Sequence, residues 1–181
     1  MTERKDSKLW GGRFEREPDA RFDAFQRSFS FDRRLLPYEI AVDRAWAKAL
    51  EPIGIFTSAE VRQTLAALDK IEERAKNDPA WVDAFGADAE DVHHFVEKAL
   101  VEELGPIGWK LHTGRSRNDL VATDFRLFVI AAAAQVKRGL LALCGALLSQ
   151  AKAKLGVPMA GITHMQHAQP ILLSHFLLAH A

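Results

Sequence analysis

Apolar positions recur at helical spacing along most of this chain, and polar or Gly/Pro-containing interruptions divide them into segments. Over residues 33–50, Leu36, Ile40, Val42, Ala45, Trp46 and Leu50 supply much of an apolar surface, and Asp32 stands where a helix cap belongs. Pro52 and Gly54 mark a break. Thr57, Ser58 and Glu60 then open an amphipathic helix with Val61, Leu65, Leu68 and Ile71 on its apolar face, which runs until NDPAW interrupts it. A shorter helix is expected from Asp91 toward Leu104. The strongest helical pattern covers residues 117–155, lowered in propensity only by Gly139 and Gly145 and stopped by the turn pair Gly156 to Pro158. At about 1.5 Å per residue it exceeds ~50 Å. A last helix is expected to start with Pro170 at its first position and to remain apolar as far as Ala181.

No Val/Ile-rich alternating run of strand length is visible, so the expected class is all-α. The long segment is apolar around much of its circumference and requires neighbours on several sides, which points to a bundle or an oligomer. Three regions follow: a polar arm over residues 1–24, pinned by Trp10 and Phe14; an N-terminal helical domain over 25–116; and the truncated start of a central helical bundle over 117–181.

Composition narrows the setting. The hydrophobic fraction of 48% is that of a globular protein. Lys plus Arg and Asp plus Glu each total 24, so no net charge draws the chain to nucleic acid. The lone Cys144, in an apolar run, reads as a buried small hydrophobe. Met1 to Phe14 lacks the apolar stretch of a signal peptide, and Gln135, Lys137 and Arg138 break the long apolar run, so a cytoplasmic protein with no membrane partner is expected.

Candidate chemistry concentrates in KLHTGRSRND, residues 110–119. Ser116 and Asp119 have capping-box spacing, so a helix starting at Arg117 turns its first N–H groups toward the preceding loop, where anions are favoured. Arg115 and Arg117 offer forked donors for carboxylates, and the Asn118 amide both donates and accepts. An ordinary cap flanked by surface salt bridges is the competing reading. In GITHMQHAQP, Thr163 can position an oxygen and His164 carries the side chain suited to moving a proton near neutral pH. His164, His167, His175 and His180 have no HExxH motif or cysteine pair beside them, so no metal is expected. EDVHHFVEKAL presents Asp91, His93 and His94, with Asp91 equally suited to capping a helix. Ser28, in FQRSFSFD, reads on its own as a turn or cap residue.

In order, KLWGGRF, SFSFDRRLL, EDVHHFVE, KLHTGRSRND and GITHMQHAQP resemble the argininosuccinate lyase family of the fumarase/aspartase superfamily, across nearly the whole chain. The resemblance implies an N-terminal portion of a longer homotetrameric enzyme whose sites each draw on three subunits. It implies reversible elimination of arginine from argininosuccinate to give fumarate, in arginine biosynthesis, without a cofactor. Ser28, Asp91, Arg117, Asn118 and Thr163 would bind substrate, His164 would belong to the proton-handling groups, and His93 and Arg115 would lie near the site. The family's general-base serine and a charge-stabilising lysine belong to a GSSxMPxKxN-type loop that does not occur in these residues, so the isolated chain is expected to be inactive. The adenylosuccinate-cleaving branch is less similar. A noncatalytic helical structural or interaction protein of the same superfamily is the alternative. Asp43 and Trp46 replace small and polar family residues, Trp109 sets an indole before the anion loop, and Leu120, Ala160 and Ile162 also depart from the pattern.

Overall fold

The computed structural model describes residues 19–181, so Trp10, Phe14 and most of the polar arm lie outside the described residues. Contacts divide the chain into two compact units, one ending at Phe128 and the other running from Val129 to Ala181. The first contains short helices α1 (Ala20–Gln26) and α2 (Phe29–Asp32), then α3 (Leu36–Leu50), α4 (Ser58–Asn77), α5 (Pro79–Phe85), α6 (Val92–Leu104) and α7 (Pro106–Lys110). Helix α8 (Arg117–Ala153) begins in this unit and continues into the next. There follow strands β1 (Pro158–Thr163) and β2 (Gln166–Leu172) and a short helix α9 (Leu173–Leu178).

The first unit is built on α3, α4 and α6. Ile40, Leu50, Leu68, Val92, Phe95, Val96 and Leu100 are almost fully buried between them. Phe95 carries an aromatic cluster, stacked on Phe29 at 4.9 Å and meeting Trp81 and Phe85 edge-on. Such pairs contribute about 0.5–1.5 kcal/mol each beyond their buried area. Helix α7 approaches α6 closely at Gly108, where an added Cβ would come within 2.9 Å of the Val101 nitrogen. Thr57 caps α4 with a full capping box: its hydroxyl accepts from the Glu60 amide and the Glu60 carboxylate accepts from the Thr57 amide.

Three expectations need correction. Asp32 does not cap the third helix. It ends α2, its carboxylate accepts from the Ser28 hydroxyl, and a 3-10 turn (Arg33–Leu35) leads into α3, where Pro37 occupies the first turn without requiring an N–H partner. The fold is mostly helical but not all-α, because Pro170 opens no helix and lies in β2, opposite Ala160. A two-stranded ribbon has only edge strands, so a proline without a donor is tolerated there. The ribbon has a bulge between Ala160 and Ile162 at Gly161, where a Cβ would come 2.9 Å from the Gln169 carbonyl oxygen. Cys144 is half-buried rather than buried, since α8 leaves much of its circumference open; its thiol donates to the Ala181 carbonyl at 3.1 Å.

From Val129 onward α8 exposes Val129, Ile130, Val136, Leu140, Leu141, Leu143 and Leu148. The helix is long and apolar enough to cross a membrane by length and composition alone. Asp124, buried against α3 and α6, and the interrupting Lys137 and Arg138 fit a bundle helix better.

Replacing Thr57 by alanine removes the hydroxyl that accepts from the first turn of α4. The expected loss is about 1 kcal/mol of stability, read from the urea midpoint at unchanged denaturant slope.

Candidate functional site

The start of α8 is fastened to the first unit by charge. Ser116 sits at the cap: its hydroxyl accepts from the Asn118 amide at 3.2 Å, and its own amide donates to the Asp119 carboxylate at 2.9 Å. The preceding loop is held on α3 by two side chains. Trp46 Nε1 donates to the Thr113 carbonyl at 3.1 Å, and Arg115 pairs with Asp43 at 2.5 Å. Asp43 is 2% exposed, and burial pushes its carboxyl above the ordinary range while the Arg115 guanidinium pulls it down.

Arg117 reaches across to α6 and pairs with Asp91 Oδ2. The other Asp91 oxygen accepts from the His94 amide at 2.8 Å, so Asp91 caps α6, as its sequence position allows, and also pairs with Arg117. Ser28 is carried to the same edge by its backbone. The amides of Ser28 and Phe29 both donate to the carbonyl of Glu90, the residue before Asp91. The Ser28 hydroxyl is directed to Asp32, whose carboxyl is raised mainly by burial. Asn118 is exposed beside Arg117.

Between α3, α6 and the α8 entrance lies a cleft of about 10 Å3 lined by Glu39, Asp43, His93, Arg115 and Arg117. That volume suits one water molecule. A larger cavity of about 560 Å3 opens on the other side of the loop, where Val42, Trp46, Gly114, Arg115, Leu120 and Thr123 form its wall. The departures at Trp46 and Leu120 therefore line this second cavity, whereas Trp109 is exposed on α7.

Sequence reasoning missed Glu39 and Asp124, and took Asp43 only as a departure from the family pattern. Glu39, Asp43 and Asp124 are almost fully buried, and Glu39 and Asp124 approach His93. Burial first, then the Asp43 charge, lifts Glu39 to about 8. Burial first, then the hydrogen bond with Glu39, lifts Asp124 to about 8. His93 is pushed down by burial and is neutral near pH 7. A usable signal was present: Glu39 and Asp43 are four apart on one helical face, in register with buried Leu36, Ala47 and Leu50. Among the described residues, Glu39, His93 and Asp124 also form the grouping whose donor atoms converge most like a metal-binding set, all within 4.8 Å.

Thr163 and His164 belong to the second unit, at the tip of the β1–β2 hairpin. Thr163 pairs with Gln166, and the two residues between them, His164 and Met165, have φ of 47° and 61°. Positive φ at both central positions is the signature of a type I′ turn, normally filled by Asn or Gly. A histidine and a methionine there hold a conformation that costs about 1–3 kcal/mol each. The turn presents the His164 side chain to solvent. The structure thus gathers Ser28, Asp91, His93, Arg115 and Arg117 in the first unit, with Asn118 next to them, and carries Thr163 and His164 on the second.

Residues 12–181 match the family model described as Lyase, and the chain belongs to that lyase family. It is homologous to argininosuccinate lyases of the fumarase/aspartase superfamily. It is 43% identical over 178 residues to the argininosuccinate lyase of Acidobacterium capsulatum, covering 96% of this chain and 36% of that protein. It is likewise 43% identical over 176 residues to that of Acidothermus cellulolyticus, covering 96% of this chain and 35% of that protein. The chain therefore spans about a third of the length of these relatives. Among solved structures, EDDS lyase in complex with formate is similar with a TM-score of 0.63 and 29% identity, over 80% of this chain and 27% of that one. A fumarate lyase from Mesorhizobium sp. BNC1 shares the fold, with a TM-score of 0.58 at 24% identity over 89% of this chain and 37% of that one.

Removing the Asp43 side chain leaves Arg115 buried without its counter-charge. Asp43→Ala is expected to cost about 3–5 kcal/mol in chemical denaturation, as for other broken buried ion pairs. A loss below about 1 kcal/mol would mean that the pair behaves as an exposed one.

Proposed function

We infer that this chain carries the carboxylate-binding part of an argininosuccinate lyase site. The carrying observation is the start of α8, where Arg117, Asn118 and the first helical amides converge, with Arg117 steered by the Asp91 cap of α6. The 43% identity to argininosuccinate lyases supports the choice of substrate within the family.

In this reading the substrate is argininosuccinate. Arg117 and Asn118 bind a carboxylate of its succinyl part, and Asp91 and Ser28 complete the polar edge. Neutralising that carboxylate eases removal of a proton from the neighbouring carbon, because the charge that develops is delocalised onto the same group. Expulsion of the guanidino nitrogen then gives L-arginine and fumarate, in arginine biosynthesis in the cytoplasm. Thr163 and His164 handle the leaving nitrogen in a site completed by another copy. A homotetramer follows from the same reading, with the exposed Leu and Val residues of α8 in its central bundle. No base loop of the GSSxMPxKxN type is present in this sequence, so the chain by itself binds without turnover.

Two measurements test this. In calorimetry the chain binds argininosuccinate more tightly than adenylosuccinate, and Arg117→Ala weakens argininosuccinate about 10–100-fold, the loss expected for one charge-assisted contact. Unchanged affinity in Arg117→Ala would remove the α8 entrance from the site. In a catalytically complete assembly containing this chain, His164→Ala lowers kcat by roughly 100-fold or more with a smaller change in KM. Equal loss in binding and turnover would instead make His164 a binding residue.

A further inference from the structure

Glu39 on α3, His93 on α6 and Asp124 on α8 meet inside the first unit, and none is more than 5% exposed. His93 Nδ1 lies 2.9 Å from Glu39 Oε2 and 3.9 Å from Asp124 Oδ2. Glu39 Oε2, His93 Nδ1 and both Asp124 carboxylate oxygens lack a well-aligned hydrogen-bond partner. Two ionised carboxylates in so small a buried space repel strongly, and the nearest guanidinium groups are already engaged, Arg115 with Asp43 and Arg117 with Asp91. A proton or a metal cation must offset that charge. Tetrahedral ligands on bonds of about 2.0 Å stand about 3.3 Å apart, and a fourth donor is needed to close the shell. The 2.9 Å contact is shorter than that, only three donors converge, and the adjoining cleft of about 10 Å3 has room for one water. With the Glu39 and Asp124 oxygens within 4.8 Å of each other and of His93, a proton is the counter-charge that fits this space.

We propose that Glu39 and Asp124 share one proton and act as positioning residues for His93, the negative charge left beside Nδ1 drawing the ring proton to that nitrogen and so favouring one tautomer at the wall of the Arg115–Arg117 cleft. The pair then carries one negative charge and leaves Nε2 as the unprotonated nitrogen. The cleft beside it has room for one water, so the inference stands apart from the proposed lyase reading. The surrounding charges are Asp43 on α3, Glu97 on α6, Asp91 and Asp32 at the α6 and α2 ends, and Arg115 and Arg117 at the α8 entrance. Because burial and their mutual repulsion hold one proton on the pair up to about pH 8, the folded state binds one more proton there than the unfolded chain above pH ~4.5. Their contribution to stability is complete below the ordinary carboxyl range and is lost as pH rises through about 8.

The test is infrared and nitrogen NMR spectroscopy of the unsubstituted chain, repeated on Glu39→Gln and Asp124→Asn. A protonated-carboxyl band that shifts in deuterium oxide should persist at pH 7 and vanish as the pH passes about 8. Either substitution should abolish it. His93 should be neutral with its proton on Nδ1, and Glu39→Gln should shift it toward the Nε2–H tautomer, which a packing role alone would not do. A band that titrates at about 4–5, like a free carboxyl, overturns the proposal. So does a His93 already protonated on Nε2, or stoichiometric Zn2+ binding that removes the band. If the variants do not fold, the spectra of the unsubstituted chain still decide. Since no spectrum requires ligand or turnover, failure to bind argininosuccinate would strike the proposed function and leave this inference standing.

Discussion

The first unit depends on placing charge inside a small helical core and compensating nearly all of it locally. Helix α8 meets α3 and α6 through three sets of ionisable groups: Arg115 with Asp43, Arg117 with Asp91, and the Glu39–His93–Asp124 cluster. Each set joins different elements, so a change in one strains the others. A purely apolar joint of similar volume would be at least as stable, since desolvating ions opposes much of their attraction. What ions add is orientation. A guanidinium pinned by a buried carboxylate has one direction available, and that is the property an anion-binding entrance needs.

Orientation here runs from sequence to site through helix ends. Asp91 has non-helical backbone geometry that frees its side chain to accept from the His94 amide. Its second oxygen can then meet Arg117 only because α6 begins where it does. Ser116 similarly fixes where α8 starts and hence on which side Arg117 and Asn118 emerge. The caps therefore set the geometry of the charged groups as well as the ends of the helices.

Much of this was legible in the sequence, for reasons that particular residues make plain. Thr57 and Glu60 announced the start of α4 because a capping box is a local event, and Ser116 with Asp119 did the same for α8. The hairpin was not legible. Its strands carry Pro158, Gly161 and Pro170, all poor strand residues, and its turn uses His164 and Met165 where Asn and Gly are the usual signal. The buried acids were hidden differently. An apolar reading of α3 favoured Val42, Ala45 and Trp46, whereas the side facing the core carries Leu36, Glu39, Ile40, Asp43, Ala47 and Leu50. Hydrophobic periodicity locates a helix but misplaces its buried face when charges are part of the core.

Asp43 and Trp46, which the resemblance marks as departures from the family pattern, are both satisfied by the loop that precedes α8. A carboxylate at position 43 would be ruinous on a buried face without a cation, and Arg115 supplies one from the very loop that precedes α8. The indole at position 46 has a single donor, and it is satisfied by the Thr113 carbonyl of that same loop. Both side chains thus hold the entrance from one side while Asp91 holds it from the other through Arg117. Arg115 is in consequence committed to the scaffold, with Asp43 against it and little of its surface exposed, whereas Arg117 keeps more of its guanidinium open. Of two arginines separated by one residue, the second is therefore the one placed to exchange an internal partner for a carboxylate of a ligand.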